Sequence, residues 1–289
     1  MTSSLTPGEA VEIGAGVRRL LAPNAGPMTG PGTNTYLVGN ADVAVIDPGP
    51  PIDKHIDAIE HAGEGRIRWI LVTHTHPDHS PAAAKLAART GAKLLGQPPP
   101  QGKLQDQTFV PDRILADGDE LSSDEFCLQA VHTPGHASNH VCYRHEALSW
   151  LFTGDHIMNG STVVIDPPDG DMKDYLESLE KLKSLTLKAL APGHGHVMDN
   201  PMDAVDWLIN HRLKRESKLV TCLAEHPDLS VNQLVTFVYD DVSVGLHRLA
   251  RRSLHAHLLK LQKENRADLN DDLWHLTRRN SDSNEPGNL

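Results

Sequence analysis

Thr73-His74-Thr75-His76-Pro77-Asp78-His79 puts four side chains able to hold a divalent cation within six residues, directly after the apolar run Trp69-Ile70-Leu71-Val72. A chain leaving a strand end can aim alternate side chains one way. His74 and His76 can therefore share one ion, while the following turn sends Asp78 and His79 toward a second. The spacing His-x-His-x-Asp-His is a two-site pattern, unlike the helical His-Glu-x-x-His that serves one zinc. Three later residues supply what two sites would still lack. They are His136 in Thr133-Pro134-Gly135-His136, Asp155 in Phe152-Thr153-Gly154-Asp155, and His194 in Pro192-Gly193-His194-Gly195. Each follows a β-type run, and the adjoining glycines let the backbone turn tightly. Two divalent ions about 3.5–4 Å apart can hold a bridging hydroxide of near-neutral pKa, which attacks electrophilic carbon or phosphorus. The ions then stabilise the oxyanion that develops. Asp78 is the expected catalytic residue, orienting the nucleophile or shuttling its proton. His132, His140, His156 and His196 stand beside these ligands and are the candidates for supporting or lining the site.

The elements that position these residues are legible from periodicity. Thr33–Val38 and Val43–Ile46 read as a strand pair joined at Gly39-Asn40. Ile52, Ile56 and Ile59 recur at helical spacing, with Gly63 as the stop. Ala82–Thr90 reads as a helix closed by Gly91. Strands are expected at 69–72, 93–95, 126–131, 141–143 and 150–153, a surface loop at Gln97–Pro111, and an amphipathic helix over Tyr175–Leu187. Beyond residue 200 the pattern turns helical, over Asp203–Glu225, Ser230–Tyr239 and Gly245–Lys263. A hairpin follows at 267–277. Three helices and a hairpin describe a small winged-helix-like module. The expected domains are 1–209, 210–278 and a frayed tail, 279–289.

Composition bounds the function. The 289 residues carry 18 histidines against four each of Phe, Tyr and Trp, so histidine is asked to do chemistry rather than fill a core. A net charge of −11 excludes a general nucleic-acid binder, although residues 210–263 hold nine basic and five acidic side chains. No apolar run reaches the roughly 20 residues of a membrane span. The N-terminus lacks the basic and apolar blocks of a secretory signal. Cys127, Cys142 and Cys222 form no C-x-x-C pair and read as free thiols. A cytoplasmic location is the expectation.

The ordered set His74, His76, Asp78, His79, His136, Asp155, His194 resembles the metallo-beta-lactamase superfamily over roughly residues 15–210. The resemblance implies an α/β fold, a four-layer αββα sandwich, followed by the mainly helical winged-helix-like domain. It implies His74, His76 and His136 on one metal, Asp78, His79 and His194 on the other, and Asp155 bridging them. Asp47 matches the family's second-strand aspartate, which supports the site from behind. Two zinc ions are the expected cofactors, with iron or manganese as alternatives.

Within the superfamily, Gly32-Thr33-Asn34-Thr35-Tyr36-Leu37-Val38-Gly39 and the C-terminal module resemble the branch of beta-lactamase-like protein 2, endoribonucleases of single-stranded RNA, to which acyl-carrier thioesterases are related. Only 38 residues separate Asp155 from His194, too few for the insert domain of the nucleic-acid-processing branch. The resemblance implies a hydrolase of single-stranded RNA, or alternatively of a small ester or thioester in the manner of glyoxalase II. A metal-bound binding module without catalysis is a third reading. A homodimer is open, and no membrane partner is expected.

Overall fold

Strand alternation decides the layers. In the computed structural model, which describes residues 5–277, Tyr36 and Val38 face one side of a sheet while Leu37 faces the other; Ala44 and Ile46 oppose Val43 and Val45 in the same way. The first set meets Phe126, Leu128, Tyr143 and Phe152 of a second sheet, and the second set packs on Ile56, Ile59 and Leu86 of two helices. A period of two with both faces apolar is what a sheet covered on both sides requires. The tail expected at 279–289 lies outside the described residues.

The chain divides into two compact units, 1–209 and 210–289. In the first, a seven-stranded sheet runs in sequence order: β1 (Ala10–Gly14), β2 (Val17–Leu21), β3 (Asn34–Val38), β4 (Val43–Ile46), β5 (Ile67–Leu71), β6 (Lys93–Gly96) and β7 (Arg113–Ile114). β1 to β4 pair antiparallel and β4 to β7 parallel. The parallel crossovers carry α1 (Asp53–Gly63) and α2 (Ala82–Thr90), which cover the outer face. The second sheet contains β8 (Glu120–Ser122), β9 (Cys127–His132), β10 (Val141–His145), β11 (Trp150–Gly154) and β12 (Ala189–Pro192), in the order β12-β11-β10-β9-β8. α3 (Met172–Leu182) completes the four layers, tied to the second sheet by Lys181 Nζ donating to His132 O at 3.0 Å and Tyr175 OH donating to His156 O at 3.0 Å.

Some boundaries differ from the sequence reading. β1 and β2 carry little apolar alternation and give no strand signal. α3 starts at Met172 because Asp171 caps it, accepting from the backbone N–H of Lys173 and Asp174, and it stops at Leu182, before the half-buried Leu185. Gly63 is the last residue of α1; the left-handed cap is Glu64, at φ 48°.

The second unit holds the rest of α4 (Pro201–Glu225), α5 (Val231–Val238), α6 (His247–Lys263) and a hairpin of β13 (Ala267–Asn270) and β14 (Leu273–Leu276). A single 3-10 turn, Val244–Leu246, precedes α6 where helix was expected from Gly245. Its apolar core gathers Leu219, Leu234, Leu254, Leu258 and Trp274. Beside it Glu216, only 5% exposed, accepts from Lys260 at 2.8 Å and from Arg266 at 2.8 Å. Burial alone would raise this carboxyl; His257, Lys260 and Arg266 overcome it and hold the pKa at about 2. Burial lowers the His257 pKa, and its Nδ1 lies 3.5 Å from Glu216 Oε2, close enough to act on that carboxylate without a well-formed hydrogen bond.

Because the folded pKa of Glu216 lies below its unfolded value, its contribution is complete above pH ~4.5 and is lost as pH falls toward 2. Glu216→Gln is expected to destabilise this unit by about 2 kcal/mol at pH 7, with the deficit relative to wild type shrinking between pH ~5 and ~2. Native-state hydrogen exchange of the α6 amides measures it. A deficit that does not change with pH contradicts the assignment.

Candidate metal centre

Every chemistry-bearing residue follows the C-terminal end of a strand. β4 is followed at once by Asp47, β5 leads to His74, β9 to His136, β11 to Asp155 and β12 to His194. β4 and β5 are parallel, β9 and β11 both oppose β10, and β12 is parallel to β11. In each sheet the contributing strands thus point the same way, and the two sheets deliver their loops to one edge.

Cross-sheet hydrogen bonds fix these loops. Val141 N donates to Thr73 O at 2.7 Å and Tyr143 OH to Val72 O at 2.7 Å. The segment Gly32–Tyr36 clamps the loop that carries His194. Asn34 Nδ2 donates to Pro192 O and Gly195 O, both at 2.9 Å, and Tyr36 OH donates to Pro192 O at 2.7 Å. Gly193 passes so close that an added Cβ would lie 2.7 Å from His79 Cε1 and 2.8 Å from Asp155 Oδ1.

Two groups of ligand atoms result: His74, His76 and His136, and then Asp78, His79, Asp155 and His194. In the first group His74 Nε2 and His136 Nε2 each lie 3.0 Å from His76 Nδ1. Their protons are accounted for elsewhere. The Thr73 hydroxyl donates to Asp47 Oδ2 at 2.7 Å, so it accepts from His74 Nδ1–H at 3.1 Å; His136 Nδ1–H donates to Val164 O at 2.8 Å. Two lone pairs therefore meet at His76 Nδ1, where one proton can satisfy one of them. Burial lowers the pKa of all three rings, His76 to about 3, and keeps them neutral.

In the second group, His79 Nδ1–H donates to Asp47 Oδ2 at 2.9 Å and His194 Nδ1–H to Gly32 O at 3.1 Å, so both Nε2 atoms face inward. Asp155 Oδ1 is 3.3 Å from each Nε2, and Asp78 Oδ2 is 3.2 Å from His194 Nε2. The other Asp155 oxygen, Oδ2, lies 3.7 Å from His136 Nε2, so one carboxylate addresses both groups. His79 Nε2, His194 Nε2 and Asp155 Oδ1 are buried without a hydrogen bond. Burial disfavours charge at His194, but Asp155 and Asp78 outweigh it and raise its pKa to about 10. Burial likewise opposes ionisation of Asp155, and His194 and His79 overcome it, holding the carboxyl well below its usual range. Converging neutral imidazoles on one side, and orphaned imidazole and carboxylate atoms on the other, fit divalent cations.

Residues 28–194 match the metallo-beta-lactamase superfamily, and residues 230–274 match the beta-lactamase associated winged helix domain. The chain belongs to the metallo-beta-lactamase superfamily. A beta-lactamase-like protein 2 homolog of Caenorhabditis elegans is 32% identical over 267 residues, covering 90% of this chain and 89% of its own. An atrochrysone carboxyl ACP thioesterase of Aspergillus fumigatus is 31% identical over 216 residues, covering 72% of this chain and 64% of its own. In fold, a beta-lactamase domain protein from Burkholderia ambifaria superposes with a TM-score of 0.78 over 94% of this chain and 95% of that one, at 20% identity.

The remaining candidates separate around this superfamily site. Asp47, 2% exposed, supports both groups. Its Oδ1 accepts from Thr73 N and its Oδ2 from Thr73 Oγ1, both at 2.7 Å, and Oδ2 also orients His79. His140 is buried behind the first group, stacked on His74 at 5.0 Å with its Nδ1 on Thr133 Oγ1 at 2.9 Å. His156 packs edge-on to Tyr175 at 5.1 Å, and burial lowers its pKa to about 3. His132 stands apart from both groups: its ring bonds Leu115 O at 2.8 Å. The ring of His196 joins neither group, and the residue's backbone N–H points to Asn159. Sequence reasoning passed over His55. It is 1% exposed, and its Nε2 contacts Thr35 Oγ1 at 2.9 Å, while that hydroxyl donates to Asp47 O at 2.7 Å. Its position on the stripe of Ile52, Ile56 and Ile59 was the available signal.

Asp47→Asn keeps the shape but leaves one acceptor oxygen, so it loses acceptance either from Thr73 N or from both Thr73 Oγ1 and His79 Nδ1. Metal affinity is expected to fall about 10- to 100-fold at both groups, read by chelator competition on protein with unchanged circular dichroism. Wild-type affinity in this variant contradicts the bracing role.

Proposed function

We propose that the chain is a dinuclear metal-dependent hydrolase whose substrate is single-stranded RNA. The observation that carries the hydrolase reading is Asp155, with one oxygen turned to each ligand group. The RNA reading rests on the resemblance to the branch of beta-lactamase-like protein 2 and on the extent of the match to the worm homolog, 90% of this chain. Zinc suits the imidazole and carboxylate donors best.

His74, His76 and His136 would hold one ion, and Asp78, His79 and His194 the other, with Asp155 shared. Bound there, two divalent cations supply Lewis acidity and bring a water's pKa toward neutrality. The chain's own residues do the rest. His79 and His194 donate Nδ1–H away from the centre, so their Nε2 atoms face it and would ligate a cation on losing the Nε2 proton that Asp78 and Asp155 otherwise favour. Asp78, with 25% of its side chain exposed, is the open member of its group and can orient a nucleophile and hold a proton on its carboxylate.

A second reading is a thioesterase. The Aspergillus relative carries that name, and three of the nine cations at 210–263 pair with acidic residues of the same unit: Arg215 with Asp241, Lys218 with Asp240 and Lys260 with Glu216, which lessens the positive charge offered to a phosphate backbone.

Metal-quantified protein assayed on labelled single-stranded RNA and on a panel of acyl-thioesters, with and without chelator, decides between them. Chelator-sensitive RNA cleavage is expected, reduced on the order of 100-fold or more by Asp155→Ala. Metal-dependent turnover of thioesters alone replaces the first reading with the second. Inertness toward both with two ions bound defeats the hydrolase.

A further inference from the structure

His76 is the one ligand histidine whose ring nothing outside the group orients. His74, His79, His136 and His194 each donate Nδ1–H to a fixed acceptor, whereas His76 presents Nδ1 itself to the group. Among the described residues no hydrogen bond from elsewhere holds its imidazole. The position of His76 therefore depends on its backbone, and that backbone is gripped at the preceding residue.

Thr75 is fully buried between His74 and His76. Its carbonyl accepts from Asp106 N at 2.7 Å. Its hydroxyl accepts from Asn139 Nδ2 at 2.8 Å and so is free to donate to Gln105 Oε1, at 2.5 Å. Gln105, 8% exposed, passes the connection on, with Nε2 donating to Asp169 Oδ2 at 3.0 Å. Asp169 Oδ1 in turn accepts from Ser138 Oγ at 2.5 Å, two residues after His136. The polarity of the chain is unique. A carboxylate at 169 can only accept, so the amide of Gln105 must turn its NH₂ to Asp169 and its carbonyl to Thr75. The relay thus joins the loop after β5, the long loop after β6, the His136 loop and the segment before α3. These segments include both that carry the first group's ligands: the loop after β5 bears His74 and His76, and the loop after β9 bears His136.

We propose that Gln105 and Asp169 are positioning residues for the first metal group, acting through Thr75 on His76. This rests on reading that group as a metal site. The second group has no member on this relay, because Asp47 and Gly32 orient its histidines. Disturbing Gln105 should therefore weaken one ion and spare the other. A general loss of fold would weaken both.

The relay's polarity gives a test by reversal. Gln105→Glu sets two carboxylates against each other where an amide donated. The double variant Gln105→Glu with Asp169→Asn restores a donor and acceptor at every step and leaves the net charge of wild type. Cobalt(II) is titrated into the metal-free full chain and followed by its visible absorption, with His136→Ala and His194→Ala identifying which bound equivalent belongs to which group. The expected result is a loss of about 10- to 100-fold in Gln105→Glu for the equivalent that His136→Ala removes. The equivalent that His194→Ala removes should stay unchanged, and the double variant should return to wild type. Equal weakening of both equivalents, no weakening, or no recovery in the double variant overturns the proposal. Wild-type protein that binds no cobalt overturns the metal-centre reading itself, and is thereby distinguished from a failure of the relay.

Discussion

One buried carboxylate sets the protonation pattern on which the centre depends. Asp47 sits at the end of β4 in a left-handed backbone conformation, φ 51°, with its side chain turned toward the loop after β5. A carboxylate removed from water is costly unless its oxygens are satisfied. Here a backbone N–H, a hydroxyl and an imidazole N–H satisfy them. The same bonds place the proton of His79 on Nδ1 directly, and that of His74 on Nδ1 through Thr73. A single carboxylate thus turns one Nε2 atom into each ligand group. His55 and Thr35 brace its carbonyl from the other side, so the oddly turned backbone is held at both ends.

The second constraint is strand direction. Candidate ligands from four strand ends, and Asp47 from a fifth, can meet only if those ends lie at one edge, and the parallel pairs β4–β5 and β11–β12 achieve this within their sheets. The inter-sheet core of Tyr36, Phe126, Tyr143 and Phe152 then sets the separation across which Asp155 must reach. At that separation the loop bearing His194 runs against His79 and Asp155, and glycine at 193 is the residue that leaves room. Packing and chemistry are coupled here. A methyl group at this one position would push two ligands as surely as it would crowd the backbone.

How far the sequence was legible follows from what kind of constraint acted on each residue. The ligand set was readable because cation chemistry restricts residue type and because strand ends restrict spacing; His74 to His79 satisfy both within one loop. β3, β4 and β9 to β11 showed because burial on both faces leaves nearly continuous apolar runs. β1 and β2 did not show: Arg18 and Arg19 interrupt their pattern. His55 hid on a helix stripe where a histidine resembles any core-edge residue. Gln105 and Asp169 hid for a different reason. Their partners are distant in sequence, and a loop rich in proline and glutamine reads as surface whatever it touches.

The two units pose the substrate question unequally. The local excess of basic residues at 210–263 pointed to an anionic polymer, but charge counted along a chain is not charge displayed. Arg215 lies against Tyr239 and Asp241, and Lys260 is buried on Glu216, so these cations stabilise the unit rather than advertise it. The hairpin turn adds Asp271 and Asp272, which oppose a phosphate backbone. In the proposed hydrolase, two dications held against two carboxylates would keep positive charge at the metal centre even after one hydroxide is added, and would draw an anionic group there. That attraction is local and short in range. It would suit recognition of a single scissile group, whether phosphodiester or thioester, and would leave the choice between them to the architecture around the centre.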